Sequence, residues 1–214
     1  MTQMTQPRMT QTALPEPRSA GPGRPREFDL AQVLDRAVLV FREKGYNAAS
    51  IGDLCAATKL SSGSLYKAFK GKQGIFLAAL ARYVSGRDAV LAARLSEAPS
   101  GRAELRAFIS VYVEASQGAE GRTGCMVVAA LAEITTFDPA LSEPVRQAYG
   151  RLEARILGIF ARGQADGTLR VCGDPVTRAR LLLYTLQGMR LAGKVGCAEA
   201  GTAHLVDEVL QLFD

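Results

Sequence analysis

The chain has 214 residues, a formal net charge of +5 at pH 7 and 48% hydrophobic residues, enough to build a sizeable core. The apolar run at residues 126–132, like every other in the chain, is far shorter than the roughly 20 residues that span a bilayer. The N-terminus is polar and lacks the apolar region of a secretory signal, so we expect a cytoplasmic protein. Cys55, Cys125, Cys172 and Cys197 form no C-x-x-C pair, which argues against a disulfide framework and a thiolate zinc site.

The positive charge is concentrated in the first third of the chain. Residues 1–75 contain 11 Lys and Arg against 6 Asp and Glu, whereas residues 76–214 contain 15 of each. A basic head on a neutral body is typical of a protein that binds a polyanion, because neutralised phosphates supply most of the non-specific affinity for DNA. A surface excess of charge without any function explains the same numbers equally well.

Residues 1–26 are rich in Thr, Gln, Pro, Gly and Arg and nearly devoid of large apolar side chains. Such a segment cannot offset its ordering entropy by burial, so a flexible basic arm is predicted. Arg24 and Arg26 lie in a Gly-Pro-Gly-Arg-Pro-Arg run of the kind that enters a narrow minor groove. A disordered tail without a DNA contact fits the same pattern.

The next segment predicts three helices with two of them joined by a tight turn. A first helix begins near Phe28 with Asp29 as N-cap and ends at Gly45. Ser50 and Asp53 have the spacing of a capping box for a short second helix that ends near residue 57 or 58. Either Ser61 or Ser62 caps a third helix that reaches Phe69, which makes a helix-turn-helix candidate.

Longer helices follow. The spacing predicts helices from residue 72 toward 95, around 105–113, from 125 to about 136, from 139 to 165, from 175 with Asp174 as N-cap, and from 202 to 213, with an interruption at 121–124. No segment alternates with period two, so the predicted fold is all-α.

The stretch from Ser61 to Phe76 carries a specific motif. It contains Ser-x-Gly-x-Leu-Tyr-x-x-Phe at residues 61–69, followed by a Lys at position 72. This pattern resembles the DNA-binding signature of the TetR family of bacterial regulators. The resemblance implies a three-helix DNA-binding domain at 27–75, then a larger helical domain at 76–214 for effector binding and dimerisation.

The matched residues have physical reasons to contact DNA. Gly63 permits close approach of the backbone, Tyr66 and Lys72 are donors for phosphate oxygens, and the face with Ser62, Ser64 and Lys67 is expected to read bases. The full predicted set is Arg24, Arg26, Ser50, Lys59, Ser61, Ser62, Gly63, Ser64, Leu65, Tyr66, Lys67 and Lys72.

One position departs from the family pattern. The family commonly has Gly in the turn between the second and third helices, where this chain has Lys59. A non-Gly residue with positive φ there would cost roughly 1 kcal/mol, or the turn would differ slightly.

By resemblance, the two long helices near the C-terminus would form a four-helix bundle between two subunits. The predicted interface consists of Tyr149, Leu152, Ile156, Phe160, Leu182, Leu186 and Met189, although in a monomer the same residues would simply be core. The segments that line the family's ligand pocket predict Phe108, Tyr112, Cys125, Met126 and Phe137 as effector-binding residues. Cys125 follows Gly124 at a helix start, which suggests redox or electrophile sensing as a hypothesis, and an inert buried cysteine is the alternative.

An enzyme is not supported by the sequence. His204 is the only histidine, and no Walker loop, dinucleotide fingerprint or nucleophile elbow appears. We predict no catalytic residue, no metal and no cofactor. The predicted function is a dimeric regulator, released from palindromic double-stranded operator DNA by an unknown small-molecule effector; the alternative is a helical small-molecule or thiol sensor that does not bind an operator.

Overall fold

A computed structural model describes residues 29–196 and 202–213, and within those ranges the chain is helical with no strand. The predicted all-α fold is therefore confirmed. The predicted arm at 1–26, with Arg24 and Arg26, lies outside the described residues, as does Cys197.

The first three helices begin at the predicted caps. Helix α1 is Leu30–Ala48, α2 is Ile51–Thr58 and α3 is Ser62–Phe69. Asp29 accepts hydrogen bonds from the first turn of α1, and Ser61 rather than Ser62 caps α3. Gly45 has φ 79° and interrupts the helical geometry of α1 as predicted, although helical hydrogen bonding resumes to Ala48.

The remaining helices form the larger part of the protein. They are α4 (Lys72–Ser96), α5 (Gly101–Ala115), α6 (Gly118–Thr123), α7 (Met126–Ala132), α8 (Pro139–Ala165), α9 (Pro175–Ala192) and α10 (Thr202–Phe213), with 3-10 turns at Ile134–Thr136 and Gly193–Val195. Asp174 caps α9 as predicted. Helix α6 lies where only an interruption was predicted. The helix predicted from residue 125 to about 136 ends earlier, at Ala132, because its last turn tightens into the 3-10 turn.

The buried apolar side chains form two clusters. One joins α1, α2, α3 and the first half of α4 to residues of α7 and α8, including Met126 and Val145. The other joins the end of α4 to α5, α8, α9 and α10. The N-terminal helices therefore rest directly on the larger part of the molecule, and the first cluster continues across residue 75.

The described part of the chain contains no helix both long and apolar enough to cross a membrane. Residues 29–196 and 202–213 also contain no group of His, Cys, Asp and Glu placed to hold a metal ion.

Two glycines allow α5 and α8 to touch through their backbones. A Cβ on Gly101 would lie 2.2 Å from the Gly163 nitrogen and 2.3 Å from the Gly163 Cα. Gly101 is held there because its N–H donates to Asp166 at 2.7 Å, just beyond the end of α8. Backbone atoms cannot rotate aside as a side chain does, so a larger residue at position 101 would push the two helices apart.

Gly101→Ala is expected to lower the free energy of unfolding by about 1–3 kcal/mol, the usual range for overpacking. The matched control is Gly86→Ala in α4, where a Cβ would meet nothing within 4 Å. That control should gain up to about 1 kcal/mol from the better helix propensity of alanine. Denaturant unfolding at one fixed protein concentration measures both, and equal values for the two variants would show that the helices do not meet as described.

Candidate nucleic-acid interface

Helix α3 has one buried residue and a broad exposed face. Leu65 is fully buried and fixes the helix on the core. Ser62, Gly63 and Lys67 are exposed, and Tyr66 is 53% exposed, unusual for so large an aromatic side chain. The protein therefore presents hydroxyl, ammonium and bare backbone groups on the outside of α3, with the half-buried Ser64 at the edge of that face.

The prediction that Leu65 contacts DNA is corrected by its burial. With none of its surface accessible, Leu65 positions α3 from the inside. The other predicted residues at the surface of this region, Ser50, Lys59 and Ser61, are exposed.

Two lysines flank α3 in the left-handed backbone conformation. Lys59, at the end of α2, has φ 61°, and Lys70, at the end of α3, has φ 63°. The turn after α2 thus keeps the left-handed geometry that usually selects glycine, one of the two possibilities predicted for Lys59. The ammonium groups of Lys59, Lys67 and Lys70 make no ion pair or hydrogen bond within the described ranges, so their charges are open to an outside partner.

The predicted capping box of α2 is present and carries an additional ion pair. Ser50 accepts from the Asp53 N–H, and Asp53 accepts from the Ser50 N–H at 2.9 Å. Asp53 also pairs with Lys44 of α1 at 2.5 Å. Hydrogen bonds, first from Lys44 and then from Ser50, lower the pKa of the Asp53 carboxyl well below its usual range.

Lys72 lies against the end of α1. Its ammonium group donates to the Asn47 carbonyl at 3.1 Å and lies 4.6 Å from the centre of the Tyr46 ring. These contacts use part of its donor capacity and fix the start of α4 against α1. Tyr46 in turn packs edge-to-face on Phe76 at 4.9 Å.

The end of α1 is also held by the larger part of the protein. The Glu133 carboxylate accepts from the Tyr46 and Asn47 N–H groups at 3.1 and 2.9 Å. Because Gly45 has no side chain, Glu133 can approach this closely: a Cβ there would lie 2.2 Å from Glu133 Oε1. The helix-turn-helix therefore cannot turn freely on the rest of the molecule.

A second link joins α1 to the loop between α6 and α7. Arg42 is buried, donates from Nε to the Gly124 carbonyl at 2.7 Å and pairs with Glu120 at 2.8 Å. Arg190 of α9, also buried, donates to the same carbonyl at 3.1 Å. The Gly124 oxygen thus accepts hydrogen bonds both from Arg42, on the first helix of the N-terminal part, and from Arg190, which is buried among the C-terminal helices.

Beside Arg190 is a cavity of about 50 Å³ whose lining includes Tyr83, Tyr112, Cys125, Gln187 and Arg190. Two of the five predicted effector-binding residues, Tyr112 and Cys125, therefore meet at one cavity. Tyr83, Gln187 and Arg190 were not among the residues predicted from the sequence. A signal was available for Arg190, since it continues the i, i+4 line of the buried Leu182 and Leu186 on α9, where a charged residue is unexpected.

The other three predicted effector residues do not line that cavity. Phe108 is fully buried and stacks on Tyr112, and Met126 is buried in the N-terminal cluster. Phe137 packs edge-to-face on Tyr46 at 5.3 Å, close to the helix-turn-helix. Their role in effector binding stays a prediction, because an apolar pattern alone does not separate core from pocket lining.

The predicted dimer interface also needs correction. Ile156, Phe160, Leu182 and Leu186 are completely buried within the single chain, so they have no surface to offer a partner. Tyr149, Leu152 and Met189 are half-buried. The outer face of α9 instead exposes large apolar residues at helical spacing: Leu181, Tyr184 and Leu191.

The side chain of His204 is 78% exposed and lies 3.6 Å from Glu208. Cys55, Cys125 and Cys172 are free thiols.

Comparisons with known proteins agree over most of the chain. The family model "Bacterial regulatory proteins, tetR family" matches residues 33–79, and the model "Tetracyclin repressor-like, C-terminal domain" matches residues 101–205. The HTH-type transcriptional regulator YezE of Bacillus subtilis (strain 168) is 31% identical over 165 residues, which are 77% of this chain and 84% of YezE. The HTH-type transcriptional repressor ComR of Escherichia coli (strain K12) is 25% identical over 192 residues, which are 89% of this chain and 91% of ComR.

A solved structure is similar over nearly the same length. It is a cysteine mutant of the TetR family transcriptional regulator CifR complexed with 26-bp double-strand operator DNA. It superposes with a TM-score of 0.78 at 30% identity and covers 90% of this chain and 100% of that one.

Asp53 makes the stability of the helix-turn-helix dependent on pH. Because the pKa of this carboxyl is lowered in the folded chain, its contribution is present above the unfolded pKa and is lost as the pH falls below about 4. Asp53→Asn should therefore flatten the acid limb of the unfolding free energy measured between about pH 5 and pH 3. The control Glu43→Gln removes an exposed carboxylate that makes no hydrogen bond or ion pair in the described ranges and should leave that limb unchanged; an unchanged limb for Asp53→Asn would contradict the capping-box interpretation.

Proposed function

This chain belongs to the TetR family of bacterial regulatory proteins, and on that premise we propose that α3 enters the major groove of a palindromic operator. The protein is a helix-turn-helix transcriptional regulator. The observation that supports operator binding most directly is the outer face of α3, where Ser62, Gly63, Tyr66 and Lys67 are exposed on a helix anchored by Leu65. The similar TetR family transcriptional regulator CifR is complexed with operator DNA in its solved structure.

Each exposed group has a separate role in this proposal. Ser62, Ser64 and Lys67 read base edges, and Tyr66, Lys59 and Lys72 contact phosphates. Gly63 lets the backbone approach the DNA. Ser50 and Ser61 hold the ends of α2 and α3 toward the phosphate chain, and Arg24 and Arg26 of the arm enter the adjacent minor groove.

The domain organisation follows the same division: an arm at 1–26, a DNA-binding domain at 27–75 and an effector-binding and dimerisation domain at 76–214. The contacts of Glu133 and Gly124 with α1 support a coupled movement of the two domains, since a shift of the α6–α7 region would carry α1 with it. An effector that binds the DNA-incompetent arrangement more tightly would therefore release the operator. Because its target is the chromosome, the protein would act in the cytoplasm.

The alternative, a sensor that does not bind an operator, leaves the basic face unexplained. Lys59, Lys67 and Lys70 are unpaired within the described part of the chain, and two of them occupy strained left-handed positions. The proteins to which this chain is similar are transcriptional regulators rather than enzymes. The sequence also contains no recognised catalytic motif that would favour an enzyme.

The test is footprinting of the purified full chain on DNA that flanks its own gene, at several salt concentrations. We expect a protected palindrome with half-sites about one helical turn apart, or a multiple of it. The affinity should fall steeply as salt rises, since phosphate contacts release counterions. Equal binding to a scrambled duplex would reject operator recognition.

Lys67→Met should weaken operator binding about five- to 150-fold, the range for loss of a base contact, and should reduce the preference over scrambled DNA. Tyr66→Phe removes a phosphate donor and should weaken binding to both duplexes by a similar, smaller factor. The control Arg94→Gln removes an exposed charge near the other end of α4, about 30 Å along the helix, and should change neither. Fluorescence anisotropy measures all three, and an unaltered preference in Lys67→Met would exclude it as a base reader.

The dimer interface is proposed on the outer face of α9 around Leu181, Tyr184 and Leu191, with Tyr149 of α8 beside Tyr184. Burial and the nearby Tyr184 and Glu153 raise the pKa of Tyr149, consistent with a tyrosine at the edge of this face. Met189 and Leu152 are partly buried and pack against the core cluster that lies beneath this face.

Tyr184→Glu is expected to convert the dimer to a monomer, because a charge would be placed in the centre of an apolar contact. Val90→Glu is the control, since Val90 is a similarly exposed apolar residue, 49% accessible, on α4. Sedimentation velocity at matched concentrations separates the outcomes. A Tyr184→Glu protein that remains dimeric would place the interface elsewhere.

A further inference from the structure

The cavity beside Arg190 contains polar groups that the fold leaves unsatisfied. The Arg190 side chain is only 2% exposed. Its Nη2 donates to the Gly124 carbonyl and lies 3.8 Å from Glu120, whereas Nη1 has no hydrogen-bond partner among the described residues. The same is true of Gln187 Oε1, one turn earlier on α9. Burying such groups without partners is unfavourable, so native structures rarely retain them without a reason.

The charge and the hydroxyl groups around the cavity favour an anion. Arg87 and Arg190 line it together with a single carboxylate, Asp88, which lies 3.8 Å from Arg155. Burial raises the pKa of Tyr83 and of Tyr112, so both phenols stay protonated and able to donate. The cavity thus offers a guanidinium donor and two phenol donors to one acceptor group.

We propose that this cavity is the effector site and that its effector is a small 2-hydroxycarboxylate. Its carboxylate accepts hydrogen bonds from Arg190 and from the phenols of Tyr83 and Tyr112, and its hydroxyl donates to Gln187. The proposal rests on the regulatory function proposed above and specifies the chemistry of its effector. A carboxylate is matched to a guanidinium and phenol donors, and the hydroxyl supplies the proton that the Gln187 oxygen lacks.

The dimensions limit the effector further. About 50 Å³ of space admits a head group of roughly three to five non-hydrogen atoms. An open groove of about 520 Å³ between α4 and α8 shares Val84, Asp88 and Ala148 with the cavity and is lined by apolar residues such as Leu77 and Leu80. A short alkyl chain on the acid would therefore lie along this groove.

The same arginine connects the cavity to the DNA-binding domain. Arg190 and Arg42 donate to one oxygen, the Gly124 carbonyl, and both face Glu120. A carboxylate bound to Arg190 competes with that carbonyl and with Glu120 for the guanidinium. Displacement of Arg190 changes the hydrogen bonding of the Gly124 carbonyl and of Glu120, which hold Arg42. The position of α1, which carries Arg42, then changes as well.

The experiment uses isothermal titration calorimetry of the full chain with 2-hydroxyhexanoate, lactate, hexanoate and the neutral 2-hydroxyhexanamide. We expect 2-hydroxyhexanoate to bind most tightly, the amide to bind about tenfold more weakly or not at all, and hexanoate to lose affinity through the missing hydroxyl. Operator affinity, measured separately on the same protein, should fall at saturating 2-hydroxyhexanoate. Equal binding of acid and amide, or binding of none of the acids, would overturn the proposal.

Variants assign the contacts. Arg190→Gln should abolish the preference for acid over amide. Because that variant removes a buried support and can fail to fold, Gln187→Leu provides an independent test: it should erase the difference between 2-hydroxyhexanoate and hexanoate while keeping the preference for acid. Arg180→Gln, an exposed arginine on the same helix that pairs with Glu153, is the control and should bind like the native chain. A Gln187→Leu protein that still distinguishes the two acids would contradict the assignment.

The two proposals fail in different ways. Operator binding without any binding of the acids leaves the regulator intact and removes only the effector assignment. Acid binding without operator binding would instead reject the regulatory function, and the acid would then be a ligand but not an effector.

Discussion

The Gly124 carbonyl oxygen accepts hydrogen bonds from two buried arginines that belong to different parts of the molecule. Burying a guanidinium is costly unless its charge is paired, and here one backbone oxygen and the carboxylate of Glu120 serve both Arg42 and Arg190, while Arg190 Nη1 has no partner among the described residues. Gly124 itself has φ 84°, and a Cβ there would lie 2.4 Å from the Lys194 side chain, so the loop can take this path only with glycine. The position of α1 and the state of the cavity therefore depend on the same few atoms.

The contacts of Glu133 strengthen this arrangement from the other side of α1. Its carboxylate satisfies the N–H groups of Tyr46 and Asn47 where Gly45 interrupts the helix, and Lys72 binds the Asn47 carbonyl. An aromatic group of Phe41, Tyr46, Phe76 and Phe137 fills the space between these polar contacts. The helix-turn-helix is thus a rigid unit whose orientation is set by α6, α7 and the turn that follows α7.

The exposed face of α3 combines a buried anchor with strained backbone positions at the two flanking lysines. Leu65 anchors α3 in the core, and the lysines at positions 59 and 70 accept the strain of a left-handed backbone while their charges stay unpaired in the described ranges. Each such position costs stability relative to glycine. A protein that keeps lysine there gains long-range attraction for phosphates, which fits a surface made for DNA.

The sequence by itself determined the helical fold, the caps at Asp29, Ser50, Ser61 and Asp174, and the family motif at 61–72, because caps and helical periodicity are local properties of neighbouring residues. Only the tertiary structure decided which apolar residues are core and which are surface: Ile156 and Leu186 lie inside the subunit, whereas Tyr184 lies outside. It also brought together Arg42, Gly124 and Arg190, which are separated by more than 60 residues and whose pairing depends on how α1, α6 and α9 pack. Periodicity identifies an apolar face but not the element that covers it, and no local pattern encodes a contact made across the fold.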